Sequence, residues 1–436
     1  MAQGFENVMQ YDPPYPSPYG QPLLSDFQYD LEFKLFLNAG MMFLMYLDPS
    51  RKKEYKQYLE DTRKFFSNGS VFKEGFKYMF AGIKIWNLNP KIWLPYCGQF
   101  ALKLMICVRN LKEIELAPEI QTMEIKNPVF VIGLPRSGTT FLHNVLICDE
   151  KAKTTKLYQV FFPGTKTMSE EHRRNTSEFM INFLCGNSED LDTFHVMKVD
   201  DPEEDYFTME MMGLSYVQGC GVPRYEEYRK QLFSRDWQYI YDILRDLLKV
   251  HMLELNVKDD EYICMKNVQH LAFMKHLLRT FPNGRFIWIH RDVWSNFKST
   301  LHMNSILKEM CPIDVGMNDD KWFNDTAVYM QKVCLTNAIA ARDSWVAENP
   351  ERAKQFYDVS FKQFTKDPIG MTKKIHEHFG MEFTEKTEQN IREHLGEGNM
   401  KKKHGCSRTA DDVLTYTEEQ VRAELKFYTD RFSDMF

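Results

Sequence analysis

A short loop between an apolar segment and a helical pattern carries the residues best suited to binding a phosphate. The run Val129 to Ile132 leads into Gly133-Leu134-Pro135-Arg136-Ser137-Gly138-Thr139-Thr140. The backbone N–H groups of a glycine-bearing loop suit an anion, as does the positive potential of the helix N-terminus that follows. Gly138 allows the backbone to approach a ligand closely, and the hydroxyls of Thr139 and Thr140 can donate to phosphate oxygens. We therefore predict a phosphate loop at residues 133–140.

This loop differs from the loop that binds ATP or GTP. Its glycines have the spacing of that motif, but Thr139 stands where a lysine is required, and the cation lies inside the loop as Arg136. The change argues against a site for a γ-phosphate with Mg²⁺. A P-loop nucleotide hydrolase or kinase is kept as one alternative interpretation because the glycine spacing matches. A Ser/Thr-capped helix after a tight turn is a second, purely structural one.

The proline, the basic residue and Ser-Gly-Thr-Thr after a hydrophobic strand resemble the sulfotransferases that depend on 3′-phosphoadenosine-5′-phosphosulfate (PAPS). In that family the loop faces the 5′ end of the nucleotide, which implies that Arg136 and Ser137 to Thr140 contact it. A second block adds to the resemblance, because the apolar run Phe286 to Ile289 precedes His290-Arg291-Asp292 and Ser299 lies eight residues after Arg291. The resemblance implies that Arg291 and Ser299 bind the 3′-phosphate, for which a guanidinium and a hydroxyl are suitable donors.

Two further segments resemble parts of the same family. Lys401-Lys402-Lys403-His404-Gly405 is similar to a late basic loop that folds over the nucleotide, which implies that Lys403, His404 and Gly405 bind it. Lys266 ends the apolar segment at Cys264-Met265, like the lysine that closes the equivalent strand in related enzymes. The resemblance covers roughly residues 125 to 435 and is nearest to the broad bacterial-type group.

The resemblance implies transfer of a sulfuryl group from PAPS to a hydroxyl or amine of an acceptor molecule, and a base must remove the proton of that group. Three residues are candidates for this base. The stretch His195 to Glu204 resembles the His and Pro-Glu-Glu of the bacterial-type group, and it offers His195, Glu203 and Glu204. A histidine has an ordinary pKa of ~6.5, which suits a general base. Arg136 and Lys266 are expected to stabilise charge on the leaving phosphate and on the sulfuryl oxygens. This scheme requires no metal.

Three departures from the family pattern bear on proton transfer. Asn267-Val268 stands where relatives have Ser/Thr-Pro after the strand lysine. Gln159 stands where many relatives have a glutamate that is itself a candidate base, and a neutral amide cannot accept a proton. Phe361 stands where relatives have the tyrosine of a late strand–acid motif. Because these departures concern proton transfer, we expect the nucleotide site to be complete. A further alternative is a non-catalytic protein that binds the nucleotide and acts as a partner module.

The elements that must position these residues alternate between strand and helix. Short apolar runs at 129–132, 262–265, 286–289 and 355–359 predict strands, and one-sided apolar patterns predict helices between them. This alternation predicts an α/β fold with a P-loop-like central parallel sheet flanked by helices. A late helix is predicted to begin at Asp367-Pro368 and to end at Gly380. Its His376-Glu377-His378 is expected to lie on an exposed face and not to bind a metal.

The chain divides into three parts by composition. Residues 1–26 are rich in Pro, Tyr and Gly and predict an irregular arm, residues 27–125 predict a mostly helical region, and 126–436 would form the sulfotransferase domain. The apolar run 35–47 is too short to span a bilayer, which needs ~20 residues. We expect it to be a buried helix, with a helix lying at a membrane surface as the alternative.

The overall composition narrows the partners. A net charge of −6 gives no reason to expect nucleic acid, and nine scattered cysteines without a secretory signal favour a cytoplasmic location. The helical region and the aromatic-rich segment 206–240 could wall an apolar pocket. We therefore expect the acceptor to be a small apolar alcohol, such as a lipid or sterol, with an amine, a peptide or a glycan as alternatives.

Overall fold

A parallel sheet of five strands lies within the part of the chain that the computed structural model describes. The described residues are 26–67, 90–185, 197–216, 232–310, 320–397 and 413–436. The spatial order of its strands is β2, β3, β1, β4, β5, and every neighbouring pair is parallel. The strands are β1 (Val129–Ile132), β2 (Ala152–Lys153), β3 (Tyr262–Lys266), β4 (Arg285–His290) and β5 (Phe356–Ser360).

Strands β1 and β3 are buried along their whole length because helices cover both faces of the sheet. Every residue of β1 and of β3 is buried, and both strands are rich in β-branched and other apolar residues. The predicted α/β fold with a parallel sheet is confirmed, and four predicted strands agree with the observed ones to within one residue at each end. The prediction missed β2, whose two half-buried residues form no apolar run.

Helices connect and cover the strands. In chain order they are α1 (Asp26–Leu47), α2 (Lys52–Ser67), α3 (Pro90–Glu115), α4 (Thr139–Leu146), α5 (Leu157–Phe161), α6 (Glu170–Cys185), α7 (Tyr206–Met211), α8 (Gln238–Leu255), α9 (Met274–Thr280), α10 (Val293–Met310), α11 (Asp320–Glu348), α12 (Phe361–Lys366), α13 (Pro368–His378), α14 (Glu385–Glu397), α15 (Glu418–Glu424) and α16 (Lys426–Arg431). The helical character predicted for the region before β1 agrees with α1 to α3.

Helices α1 and α3 pack closely against each other. A Cβ atom at Gly40 would overlap the carbonyl oxygen of Cys97, so glycine is needed where the two helices cross. The rings of Phe36 and Phe100 meet edge to face, with centroids 5.9 Å apart. These helices therefore form one packed unit through their buried faces.

The apolar run 35–47 lies within α1 and has two different faces. Leu37 and Leu44 are buried in the helical unit. The opposite face carries exposed large apolar side chains, namely Leu35, Met42, Tyr46 and Leu47. The prediction of a buried helix therefore holds for one face only. Among the described helices, no stretch combines the length and the hydropathy that a bilayer-spanning helix requires.

Helix α13 begins and ends as its sequence predicts. The side chain of Asp367 caps the first turn, Pro368 is the first helical residue, and Gly380 has a φ of 62° just after the helix. The expectation of an exposed His376 is wrong, because this residue lies on the buried face of α13 together with Ile375. The sequence pattern did not separate the two histidines of this helix, which point to opposite sides.

The C-terminal segment fixes the end of β4. The hydroxyl of Tyr428 lies 2.8 Å from Nδ1 of His290, the last residue of β4. Nε2 of the same ring lies 3.0 Å from Oδ1 of Asp358 in β5. Both nitrogens of the Arg342 fork also donate to this carboxylate, at 2.8 and 2.9 Å. This network holds the residue that directly precedes Arg291.

Candidate functional site

The segments that follow the strands converge at one edge of the sheet. Strand β1 lies in the middle, with β3 on one side and β4 on the other, so the chain crosses over β1 between them. In parallel α/β sheets, ligands bind outside the carboxyl ends of the strands where the strand order reverses in this way. The phosphate loop leaves β1 at this point, and Lys266 and Arg291 lie at the ends of the two neighbouring strands.

The phosphate loop has two residues with left-handed backbone conformations. Gly138 has a φ of 97°, and Arg136 has a φ of 68°, which is unusual for a residue with a side chain. A Cβ atom at Gly138 would lie 2.5 Å from a ring carbon of Phe361. Position 138 therefore requires glycine both for its backbone and for the space available, directly before α4 begins at Thr139.

The hydroxyl groups of the loop have different surroundings. The backbone N–H and the hydroxyl of Ser137 both donate to the carbonyl oxygen of Leu134, at 3.1 and 2.7 Å, so this side chain supports the shape of the loop. The hydroxyl of Thr140 accepts a hydrogen bond from Lys266 at 3.0 Å. Thr139 is buried in the first turn of α4. Thr140 is thus the loop hydroxyl that connects to a second strand end.

The structure brings together the two sequence blocks that contain Arg136 and Arg291. The Nε of Arg136 donates to the hydroxyl of Ser299 at 3.1 Å. An Nη of Arg291 donates to the carbonyl oxygen of Arg136 at 2.6 Å, and its guanidinium lies 5.0 Å from the ring centre of Phe361. Burial lowers the pKa of the Arg291 guanidinium from its usual value. Two guanidinium groups and a hydroxyl therefore lie next to the phosphate loop.

Lys266 joins the phosphate loop to the candidate acidic residues. Its ammonium group donates to Oε1 of Glu204 at 2.6 Å, besides its contact with Thr140, and its side chain is only 1% exposed. Oε1 of Glu203 is 3.9 Å from the same nitrogen and accepts the backbone N–H of Glu204 at 2.9 Å. Glu204 is therefore the nearer partner of Lys266, and Glu203 also shapes the backbone at this point.

One further ionisable group lies close by, and the sequence analysis did not single it out. His143 is buried in α4, and its Nε2 lies 3.2 Å from both the carbonyl oxygen of Cys264 and the hydroxyl of Thr154. Burial lowers its pKa to about 4, and the positive charge of Lys266 acts in the same direction. A neutral imidazole therefore lies near the lysine. Its position three residues after Thr140, on the inner side of the helix, was the available signal.

Gln159 takes part in a separate buried network. Its side-chain nitrogen donates to Glu254 at 2.8 Å, and Arg173 donates to the same carboxylate oxygen at 2.8 Å. The pKa of Glu254 is lowered by these hydrogen bonds and by the charges of its neighbours, against the effect of burial. The amide at position 159 therefore satisfies a carboxylate on α8, an arrangement in which it serves as a donor.

Four of the candidate residues lie outside the described residues, namely His195, Lys403, His404 and Gly405. Their proposed roles rest on the sequence alone. Across the described parts of the chain, no group of three or more His, Cys, Asp or Glu side chains could hold a metal ion.

The parallel sheet, with the 133–140 loop at its crossover point, defines an α/β protein with a P-loop-like sheet. The model of the sulfotransferase family matches residues 128–385, which is more than half of the chain. The chain therefore belongs to the sulfotransferase family.

Among curated proteins, the chain is similar to omega-hydroxy-beta-dihydromenaquinone-9 sulfotransferase Stf3 of Mycobacterium bovis and of Mycobacterium tuberculosis. In both cases 25% of residues are identical over 268 residues, which is 60% of this chain. The chain spans 64% of the length of these relatives.

Solved sulfotransferase structures share the fold. STF1 of Mycobacterium tuberculosis H37Rv superposes with a TM-score of 0.65 at 18% identity, covering 85% of this chain and 97% of that one. STF9 of Mycobacterium avium gives a TM-score of 0.69 at 19% identity, covering 83% of this chain and 91% of that one.

The steric demand at Gly138 leads to a prediction about stability. Gly138→Ala should lower the free energy of unfolding by about 2–5 kcal/mol, because a left-handed alanine costs ~1–2 kcal/mol and forced contact with Phe361 adds ~1–3 kcal/mol. Gly380→Ala is the matched control, since Gly380 also has a positive φ but nothing lies within 4 Å of an added Cβ. Urea denaturation of both variants measures the difference. Equal losses would contradict the crowding by Phe361.

Proposed function

We propose that the protein transfers a sulfuryl group from PAPS to a hydroxyl, or an amine, of an apolar acceptor. The observation that carries this proposal is the direct contact between the phosphate loop and the Arg291–Ser299 block, made through Arg136. A nucleotide with phosphates at both its 5′ and 3′ positions has charges for both blocks. A P-loop hydrolase or kinase is disfavoured because Thr139 replaces the required lysine.

The proposed nucleotide site divides into two parts. The 5′ end of PAPS would meet the phosphate loop, with Arg136, Gly138 and the hydroxyls of Thr139 and Thr140 near it. The 3′-phosphate would meet Arg291 and Ser299, since a guanidinium can donate two parallel hydrogen bonds to a phosphate. Lys403, His404 and Gly405 would complete the site, as the family resemblance implies. The surrounding unit would be a sulfotransferase domain of residues 126–436.

The reaction would proceed by in-line attack of the acceptor oxygen on sulfur. The new oxygen–sulfur bond forms as the bond from sulfur to the 5′-phosphate oxygen breaks, giving a sulfate ester and adenosine 3′,5′-bisphosphate. Arg136 and Lys266 would stabilise the negative charge on the sulfuryl oxygens and the leaving phosphate. Glu204 would accept the acceptor's proton, because its carboxylate lies beside the phosphate loop, next to the lysine that contacts Thr140. The place of His195 rests on sequence alone.

A small lipophilic alcohol is the acceptor class that we propose. The curated relatives are named as sulfotransferases of a hydroxylated menaquinone, which is a lipid. In this chain, helix α3 lies beside α7, the helix that starts two residues after Glu204, and the two are joined by Lys103 and Glu210 at 2.8 Å. Helix α3 would thus wall the acceptor side. The exposed face of residues 35–47 would contact a membrane surface.

The first functional prediction concerns the 3′-phosphate. Adenosine 3′,5′-bisphosphate at ~100 times its Kd should raise the melting temperature by about 3–5 °C, because a ligand of the folded state stabilises it by mass action. Adenosine 5′-phosphate should raise it much less. In Arg291→Ala the two nucleotides should become nearly equivalent, which thermal-shift measurements can test. Equal shifts in the unaltered protein would contradict the assignment of the 3′-phosphate site.

The second functional prediction identifies the base. Glu204→Gln should lower turnover at saturating PAPS by about 10²-fold or more, because a neutral amide cannot accept a proton. Glu203→Gln is the matched control, a neighbouring carboxylate farther from Lys266, and should cost much less. His195→Ala should be mild. If His195→Ala is the damaging change and Glu204→Gln is not, the histidine is the base.

A further inference from the structure

Three successive carbonyl oxygens of the phosphate loop accept hydrogen bonds from side chains. The oxygen of Leu134 accepts from Ser137, and that of Arg136 accepts from Arg291. Between them, the oxygen of Pro135 accepts from Nδ2 of Asn296 at 2.8 Å. Because a trans peptide is planar, its C=O and N–H point in opposite directions, so the donor that holds the Pro135 carbonyl also directs the N–H of Arg136.

The donor to Pro135 belongs to a buried pair of amides. Asn296 in α10 and Gln331 in α11 are 1% and 2% exposed, and Nε2 of Gln331 donates to Oδ1 of Asn296 at 2.9 Å. A carbonyl oxygen can only accept, so Asn296 must turn its nitrogen toward Pro135 and its oxygen toward Gln331. Oε1 of Gln331 has no hydrogen-bond partner among the described residues, so the buried Gln331 amide is only partly satisfied.

We propose that Asn296 and Gln331 are positioning residues of the nucleotide site, an inference that rests on the proposed function. Arg136 has a left-handed backbone, which a residue with a side chain keeps only where its surroundings impose it. The amide pair supplies that constraint. Asn296 holds the Pro135 carbonyl on the side away from the phosphate, so the N–H of Arg136 faces the phosphate side of the loop. A reversed peptide would present an oxygen to the anion instead.

Gln331→Glu is the most specific perturbation of this pair. A carboxylate cannot donate to Oδ1 of Asn296, so Asn296 would have to turn its nitrogen toward the new carboxylate and set its oxygen against the oxygen of Pro135. Gln331→Met removes the donor without forcing that reversal. We expect Gln331→Glu and Asn296→Ala each to raise the Kd for adenosine 3′,5′-bisphosphate by about 10-fold or more. Gln331→Met should raise it only a few-fold.

The test is calorimetric binding of adenosine 3′,5′-bisphosphate to the full chain and to these variants. Asn337→Ala is the matched control, since this amide also lies on α11 and donates to a backbone carbonyl, that of Ala272, at 3.1 Å. Its affinity should be unchanged even if its melting temperature falls. Combining Gln331→Glu with Asn296→Ala should cause no further loss of affinity, because the Asn296 amide that Gln331→Glu would turn around is absent.

Two results would overturn the inference. One is unchanged affinity in both Asn296→Ala and Gln331→Glu while the unaltered protein binds normally. The other is a full additional loss in the double variant, which would show that Gln331 does not act through Asn296. If Asn296→Ala does not fold, equal affinities of the two single variants at position 331 would also overturn it. Failure of the unaltered protein to bind the bisphosphate would instead overturn the proposed function itself.

Discussion

The hydrogen bond from Arg291 to the carbonyl oxygen of Arg136 joins the two halves of the site. It is possible because β1 and β4 are parallel neighbours, paired from Val129 with Arg285 to Ile132 with Trp288, so the chain leaves both strands at the same edge. The contact sets the Arg291 guanidinium against the loop that carries Arg136, in a protein whose net charge is −6. Positive charge is thus concentrated locally, at the edge of the sheet where a ligand with two phosphate groups would balance it.

The same edge also contains the ion pair of Lys266 and Glu204. Removing both charges from water costs much of what their attraction returns, so a buried pair of this kind is a weak source of stability. Its position next to Thr140 instead suits the chemical role that we propose for it. The lysine reaches the phosphate loop with one contact and the acidic segment with another. The donor side and the acceptor side of the proposed reaction therefore meet at one ammonium group.

Much of this arrangement could be predicted from the sequence, and the reasons are physical. Buried parallel strands are continuous apolar runs, and the glycines and hydroxyl residues at 133–140 interrupt such a run at its end. Asn296 and Gln331 could not be predicted, because they occur singly in two helices and their spacing does not pair them. Glu203 and Glu204 are adjacent carboxylates, and only the fold of the backbone decides which one meets Lys266. His376 and His378 share a helix, but only the packing of that helix shows which one is buried.

Transfer of label from radiolabelled PAPS is the most direct test of the proposed activity. The protein would be incubated with labelled PAPS and a lipid extract, and the organic phase would be analysed for a labelled ester. We expect label in that phase together with an equal amount of adenosine 3′,5′-bisphosphate, without added metal. The contradicting result would be Mg²⁺-dependent hydrolysis of ATP with no binding or use of PAPS.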